Sequence, residues 1–324
     1  MIRKVQGISI VALLPFLVVA FGAVAVNGAV YPSKPLTYMI CFNPGGESDI
    51  TARIQEASLK KHFGQDVVIQ YKIGGGGSVG WSALVRSKPD GYTIAGHNFP
   101  HVVVQPLTRG NAGYETLDLT PVYIFESTPN VLVVRADSPF TTLDAFVQYC
   151  KAHPGVVTVG GSGSHSANDL GTTRLRKAAD LNVIYIPFTG TGDAVPALLG
   201  GHVKSLMTYS TTAVRYRGRF RPLAIASEKR MEVLRDVPTF RELGYEVVEG
   251  AYRGVAAPAG TPIPIVQYLA DTFEKVMQEP DVIQKMNENG FKIETMGPEK
   301  ATEFTKKKMD EYKAVLKELG LVRK

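Results

Sequence analysis

The chain has 324 residues, 44% hydrophobic and 20% charged, which excludes disordered and fibrous classes and leaves room for about two domains with buried cores. Its 36 Lys and Arg outnumber 30 Asp and Glu by a mild surplus spread along the chain, so the net charge of +6 is not a nucleic-acid footprint. Two cysteines, Cys41 and Cys150, make neither a disulfide framework nor a zinc pattern.

Residues 1–29 read as a cleavable signal peptide. Arg3 and Lys4 give a basic start, the run to Val26 is mostly apolar, and Ala23-Val24-Ala25 offers the small residues a signal peptidase needs. Ala29 is a second candidate cleavage position. The run approaches the ~20 residues that span a bilayer, but Pro15 and the cleavage-like string favour export over an anchor. Removing 1–25 takes away two basic residues and no acid, which leaves +4.

From Tyr31 onward, strand-like and helix-like segments alternate. The apolar run 36–42 reads as a buried parallel strand, followed by Asn43-Pro44-Gly45-Gly46 and a helix over 48–63. A β-branched strand over 66–70, a Gly-rich turn, a helix over 79–85 and a strand over 92–95 come next. The same grammar returns with a strand at 131–134, a helix over 142–152 capped by Thr141 or Thr142, and a strand at 156–159. After it come a helix over 168–179, a strand over 182–187, a helix over 194–199 and strands at 203–207 and 223–226. Helices over 266–278, 280–289 and 300–319 close the chain. This order predicts an α/β protein of two parallel-type units with a helical return.

Four Gly- or Ser-rich loops sit where strands end: 43–49, 74–80, 160–166 and 189–193. In open α/β sheets such loops let a ligand approach the backbone, and helix N-termini there favour an anion. One loop alone is as well explained by turn chemistry; four suggest a cleft. Enzymatic patterns are weaker. The 74–80 loop lacks the Gly-Lys-Ser/Thr of a P-loop, and Ser162-Gly163-Ser164-His165 is not the G-x-S-x-G elbow. Ser164 beside His165 imitates a nucleophile–base pair, although sequence neighbours seldom have that geometry. His97 and His101 have helical metal spacing, but Pro100 interrupts it and no third ligand is evident, so no metal or cofactor is expected. Cys41, in an apolar strand, reads as core.

Several of these segments resemble the substrate-binding proteins of tripartite tricarboxylate transporters, also called Bug or TctC-like receptors. YPSKPLTYMICFNPGGESDITAR (31–53) resembles that family's opening, and GGGGSVGWSALVRSKPDGYTI (74–94) its second signature. PFTGTGDAVPALLGGHV (187–203), RPLAIASEKRMEVLRDVPTFRELGYEV (221–247) and APAGTP (257–262) are similar in the same order. The resemblance implies a two-lobed periplasmic-binding-protein fold of the Venus-flytrap, type II kind, with two mixed sheets flanked by helices and a two-stranded hinge. Residues 30–129 with 248–324 would form one lobe and 130–247 the other. It also implies a periplasmic, non-enzymatic monomer that traps a small carboxylate (a di- or tricarboxylate, an aromatic acid or an acidic amino acid) and delivers it to a tripartite tricarboxylate-type membrane permease. The ligand would be held largely by amides, hydroxyls and water. The candidate ligand-binding set is Phe42, Asn43, Gly45, Gly46, Asp49, Asn98, Ser162, Ser164, His165, Thr189, Thr191, Asp193 and Tyr209, with Asp49 better suited to holding its loop than to facing a carboxylate. Rival readings are an exported serine hydrolase using Ser164 and His165, and a ligand sensor docking on a signalling kinase. Lys204, Tyr252 and Asn43 depart from residues common in the family, which leaves the ligand's identity open.

Overall fold

The computed structural model describes residues 24–26, 29–318 and 320–322, so the expected leader lies largely outside the described residues. The chain opens with a short antiparallel pair, β1 (Val24–Val26) and β2 (Ala29–Tyr31). The first sheet is built from β3 (Leu36–Ile40), α1 (Glu47–Phe63), β4 (Val67–Tyr71), α2 (Ser78–Val85), β5 (Thr93–Phe99) and α3 (His101–Thr108). A 17-residue strand, β6 (Leu119–Arg135), then carries the chain away from it. The second unit holds α4 (Leu143–Ala152), β7 (Thr158–Gly161), α5 (Ala167–Ala179), β8 (Ile184–Pro187), α6 (Thr191–Leu199), β9 (Ser205–Tyr209), α7 (Ser210–Arg215) and β10 (Phe220–Ile225). The return is β11 (Gly250–Pro258), α8 (Ile263–Met277), α9 (Pro280–Glu288), β12 (Lys292–Met296) and α10 (Pro298–Glu318).

Two mixed sheets result, and they share one strand. The first has the order β4-β3-β5-β11-β6, with β12 also paired to β6; the second runs β6-β9-β7-β8, with β10 also on β6. β3, β4 and β5 are parallel, as are β7, β8 and β9, while β6 and β11 run antiparallel to their neighbours. The first half of β6 pairs with β11 up to Pro129–Gly250, and the second half begins at Asn130–Tyr209. Asn130 fastens the crossing: its N–H donates to Glu249 O at 2.9 Å and its side-chain amide to Ala167 O at 2.6 Å. The two lobes are therefore joined by one through-going strand and one returning segment.

Each sheet is covered on both faces. α1, α8 and α9 pack Leu59, Phe63, Leu269, Phe273 and Met286 onto Tyr38 and Phe125, whereas α2, α3 and α10 bury Trp81, Val103, Tyr312 and Leu316 on the other face. In the second lobe α4 and α5 bring Phe146, Cys150 and Leu175 to one face, and α6 and α7 bring Val195, Leu198 and Ala213 to the other. α8 shows why such helices form: Ile265, Val266, Leu269, Phe273, Val276 and Met277 recur every three or four residues on its buried stripe. Full burial of one side chain such as Phe273 contributes about 2–3 kcal/mol. No helix among the described residues is long and apolar enough to cross a membrane.

β6 and β11 were not expected at these lengths. Only 131–134 reads as strand from its pattern, because Pro121, Pro129 and the polar Glu126-Ser127-Thr128 look like loop. The β6–β11 ladder shifts register between Arg253 and Gly254 and again between Val255 and Ala256; the second shift lies beside Pro121, while Pro129 stands at the last β6–β11 pair, opposite Gly250.

Candidate functional site

The strand ends of both lobes meet at the crossing. From the first lobe comes the loop after β3. Gly45, at φ 76°, adopts a left-handed turn that lets its N–H donate to Asp49 Oδ2 at 2.7 Å. Asp49 Oδ1 accepts from the Tyr71 hydroxyl at 2.6 Å and lies 3.4 Å from Arg53 Nε. Asp49 thus holds its own loop, and its oxygens are committed within the first lobe rather than aimed across the cleft. The next residues, Glu47 and Ser48, open α1 with no side-chain cap on Gly46. Ser48 is buried and accepts from Asn98 Nδ2 at 2.7 Å.

The second lobe answers with hydroxyls. Ser162 Oγ donates to Asn168 Oδ1 at 2.6 Å and lies 3.1 Å from the Tyr209 hydroxyl. Ser166 caps α5 by accepting from Asp169 N–H, while Asp169 Oδ2 accepts from His165 N–H at 2.7 Å. Thr191 Oγ1, at the start of α6, donates to the Glu47 carboxylate at 3.3 Å, and Thr211 Oγ1 donates to it at 3.2 Å. Three helix N-termini, those of α1, α5 and α6, therefore open at this junction, which favours negative charge there.

Beneath them lies a charge cluster that sequence patterning did not single out. Arg253 on β11 stands opposite Asn98 on β5 and Glu126 on β6, so the three share one sheet face. Arg253 Nη1 donates to Thr128 Oγ1 at 2.7 Å and to Glu126 Oε1 at 3.4 Å, and Nη2 lies 3.8 Å from Glu47 Oε2. Its guanidinium also sits 5.2 Å from the Tyr209 ring centre, a cation–π contact across the lobes. Side-chain exposure is 7% for Arg253, 0% for Glu126 and 11% for Glu47, so Glu126 is sealed while Arg253 and Glu47 each keep a small opening to solvent.

Burial pushes the Glu126 carboxyl up to about 8, against the pull of Arg253 and the Thr51 hydroxyl bond at 2.7 Å. Burial likewise pushes Tyr209 up to about 12 despite Arg253, and lowers His101 to about 4 with help from the charges of Arg253 and His165. At neutral pH the centre thus holds a neutral histidine, a largely protonated Glu126 and a cation.

The expected residues fall into three groups. Asn98, Ser162, Thr191 and Tyr209 meet at the junction, with Gly45 and Gly46 shaping the turn beside it. Phe42 packs on His101 and Trp81, with ring centres 5.1 and 6.1 Å away. Asn43, Ser164, Thr189 and Asp193 are exposed at the rim, and Asp49 and His165 are tied within their own loops by the bonds above. The Gly-rich loop 74–77 is turn and packing: a Cβ on Gly77 would lie 2.5 Å from the Trp81 ring, and one on Gly76 2.4 Å from Gln105 Nε2. Glu47, Thr211, Glu126 and Arg253 were missed. The available signal was a single acid and a single base set in otherwise apolar or small-residue segments, FESTP and AYRGV.

Among the described residues, no hydrogen bond joins Ser164 to His165, so the hydrolase reading lacks its pair. No group of three or more metal-ligating side chains gathers among them either: His97 lies in β5 and His101 starts α3. Cys41 is buried core, its thiol pushed up to about 12.

The lobes touch through the Glu47 contacts to Thr191 and Thr211 and the Arg253–Tyr209 contact. Beside Glu47, Thr191, Thr211 and Arg215 remains a cavity of about 50 Å³, room for little more than a water molecule. A larger groove, about 1290 Å³, runs along Ser127, Pro129, Gly250 and Tyr252 under residues 226–237. None of the expected ligand residues lines it, and its acids and bases are interspersed and nearly balanced.

Known proteins of this shape share the same plan. The family model described as the tripartite tricarboxylate transporter family receptor, TctC, matches residues 51–321. Protein BugT of Bordetella pertussis is 32% identical over 315 residues, covering 94% of this chain and 95% of the relative. The solved periplasmic binding protein BugD superposes with a TM-score of 0.84 at 28% identity, covering 91% of this chain and all of that one. An R. palustris protein solved with adipate gives 0.85 at 26% identity, covering 90% of this chain and 99% of that one. With that match running through both lobes and the cleft loops between them, the chain belongs to the tripartite tricarboxylate transporter receptors, the TctC or Bug family of periplasmic solute-binding proteins.

Proposed function

We propose that the protein is an extracytoplasmic receptor that closes around a small carboxylate and delivers it to a tripartite tricarboxylate-type membrane permease. The observation that carries this reading is the meeting of α1, α5 and α6 N-termini, cleft hydroxyls and buried Arg253 at one interlobe junction. The structural neighbour holding adipate supports a carboxylate as the class of ligand. Residues 30–129 with 248–324 form one lobe in this reading and 130–247 the other, the chain crossing at 129–130 and 248–250. Because Glu47 bonds Thr191 and Thr211 across the cleft, the lobes part to admit a ligand beside it. The candidate contacts are Asn98, Ser162, Thr191, Thr211, Tyr209 and Arg253, with the amides of the Gly45–Gly46 turn. The leader over 1–29 fits delivery to the periplasm.

A thermal-shift panel of di- and tricarboxylates, aromatic acids and amino acids tests this, together with mass spectrometry of solute that co-purifies. At a hundredfold excess over Kd the fold gains about 2.7 kcal/mol, which raises Tm by several degrees. Unshifted melting with every acid, and no acid carried through purification, would overturn the reading.

A further inference from the structure

A receptor for anions is expected to present donors, yet this cleft contains an acid of its own that spans it. Glu47 stands at the first position of α1, its carboxylate accepting from Thr191 and Thr211 of the opposite lobe and facing Arg253 at 3.8 Å. A first-turn acid would satisfy the helix dipole while staying within its own lobe, as Asp49 does through Gly45 and Tyr71. Glu47 instead reaches the surface where a ligand must lie.

The charge balance limits what can join it. Arg253 is the buried cation at the junction, approached by both Glu126 and Glu47, while exposed Arg215 lines the cavity beside Glu47 without an ion pair to it. Glu126 is fully buried, with one oxygen bonded by Thr51 and the other by Arg253, so it does not meet the ligand. A ligand carboxylate drawn to Arg253 and the helix N-termini arrives beside Glu47. A second carboxylate or a hydrocarbon there leaves Glu47 facing a like charge or stripped of the donors it had from Thr191 and Thr211. An ammonium supplies three donors and the opposite charge.

We propose that Glu47 makes this cleft selective for small carboxylic acids that also carry a protonated nitrogen. This rests on the carboxylate-receptor reading and narrows it. On opening, Glu47 exchanges its threonine hydroxyls for the ligand's ammonium, while the ligand's carboxylate takes the hydroxyls, amides and Arg253.

Titration calorimetry on the purified protein tests it with skeletons that differ only in one group. The sets are alanine, lactate and propionate; aspartate, malate and succinate; and glutamate, 2-hydroxyglutarate and glutarate. In any set that binds, the amine member is expected to bind at least tenfold tighter than the unsubstituted acid, with the hydroxy acid between. Glu47→Gln should cut that ratio to threefold or less, and Glu47→Asp, which keeps the charge, should preserve its direction. Equal or tighter binding of the unsubstituted acids to the wild-type protein overturns the proposal without needing any variant. An unchanged ratio in a folded Glu47→Gln also overturns it. If no acid of any set or of the broader panel binds, the receptor reading itself falls and takes this proposal with it.

Discussion

The two walls of the cleft are made of different materials. The first lobe supplies the ionisable groups: charged Glu47 and Arg253 with largely protonated Glu126, set on strands and a helix start whose backbones are fixed in the sheet. The second lobe supplies neutral hydroxyls and amides: Ser162, Thr191, Thr211 and Tyr209. A buried charge must be compensated at all times, so it belongs on the wall that stays assembled whether the cleft is open or shut. Hydroxyls tolerate exposure to water and can be made and broken as the lobes move. The first wall therefore governs stability and charge preference, and the second governs closure.

The sharpest way to break this contrast is to remove the charge that organises the first wall. Arg253→Met takes the cation from Glu47 and the hydrogen-bond donor from buried Glu126 and Thr128, and should cost about 3–5 kcal/mol in urea unfolding, with ligand binding abolished. Adding Glu126→Gln should recover part of the stability. A smaller loss is expected at the bulge that aims Arg253. A Cβ on Gly254 would lie 2.1 Å from Tyr123 O, so Gly254→Ala must displace backbone and should cost about 2–3 kcal/mol.

Those residues also show what could be read from the sequence and what could not. The cores were legible: the apolar runs that became β3, β7 and β9 and the striped helix α8 declare themselves locally. So did the loops at strand ends, and Thr142, which caps α4 by accepting from Ala145 N–H at 3.1 Å. The charge centre was not legible, because Glu126 and Arg253 lie 127 positions apart and meet through the register of two strands. Those strands were themselves hidden by Pro121, Pro129 and a run of small residues. Glu47 lies inside a recognised loop, yet an acid in a helix's first turn has an ordinary local explanation. Only the opposite lobe shows that it reaches further.

The pH dependence separates the walls next. Because the folded protein raises the Glu126 carboxyl to about 8, well above its unfolded value, the stabilising contribution is present below the unfolded pKa and is lost as pH rises through about 8. Tm should therefore fall between pH 6 and pH 9, and Glu126→Gln should flatten that fall. The smallest effect on stability is expected on the second wall. Thr191→Val and Thr211→Val each remove one hydroxyl contact to Glu47, from half-buried Thr191 and buried Thr211, and should cost about 1 kcal/mol apiece in unfolding. The same pair should change the fraction of closed molecules, seen as an altered radius of gyration in solution scattering.

Closure around an acid is the central claim, and a distance measured between the lobes tests it most directly. Lys88 and Lys151 are exposed on opposite lobes, and the native Cys41 and Cys150 are buried, so Lys88→Cys and Lys151→Cys can carry spin labels. Electron–electron double resonance should give a broad interlobe distance in the free protein. Addition of a binding acid should collapse it to one shorter, narrow distance. An acid that binds with measurable heat while the distribution stays unchanged would contradict the account.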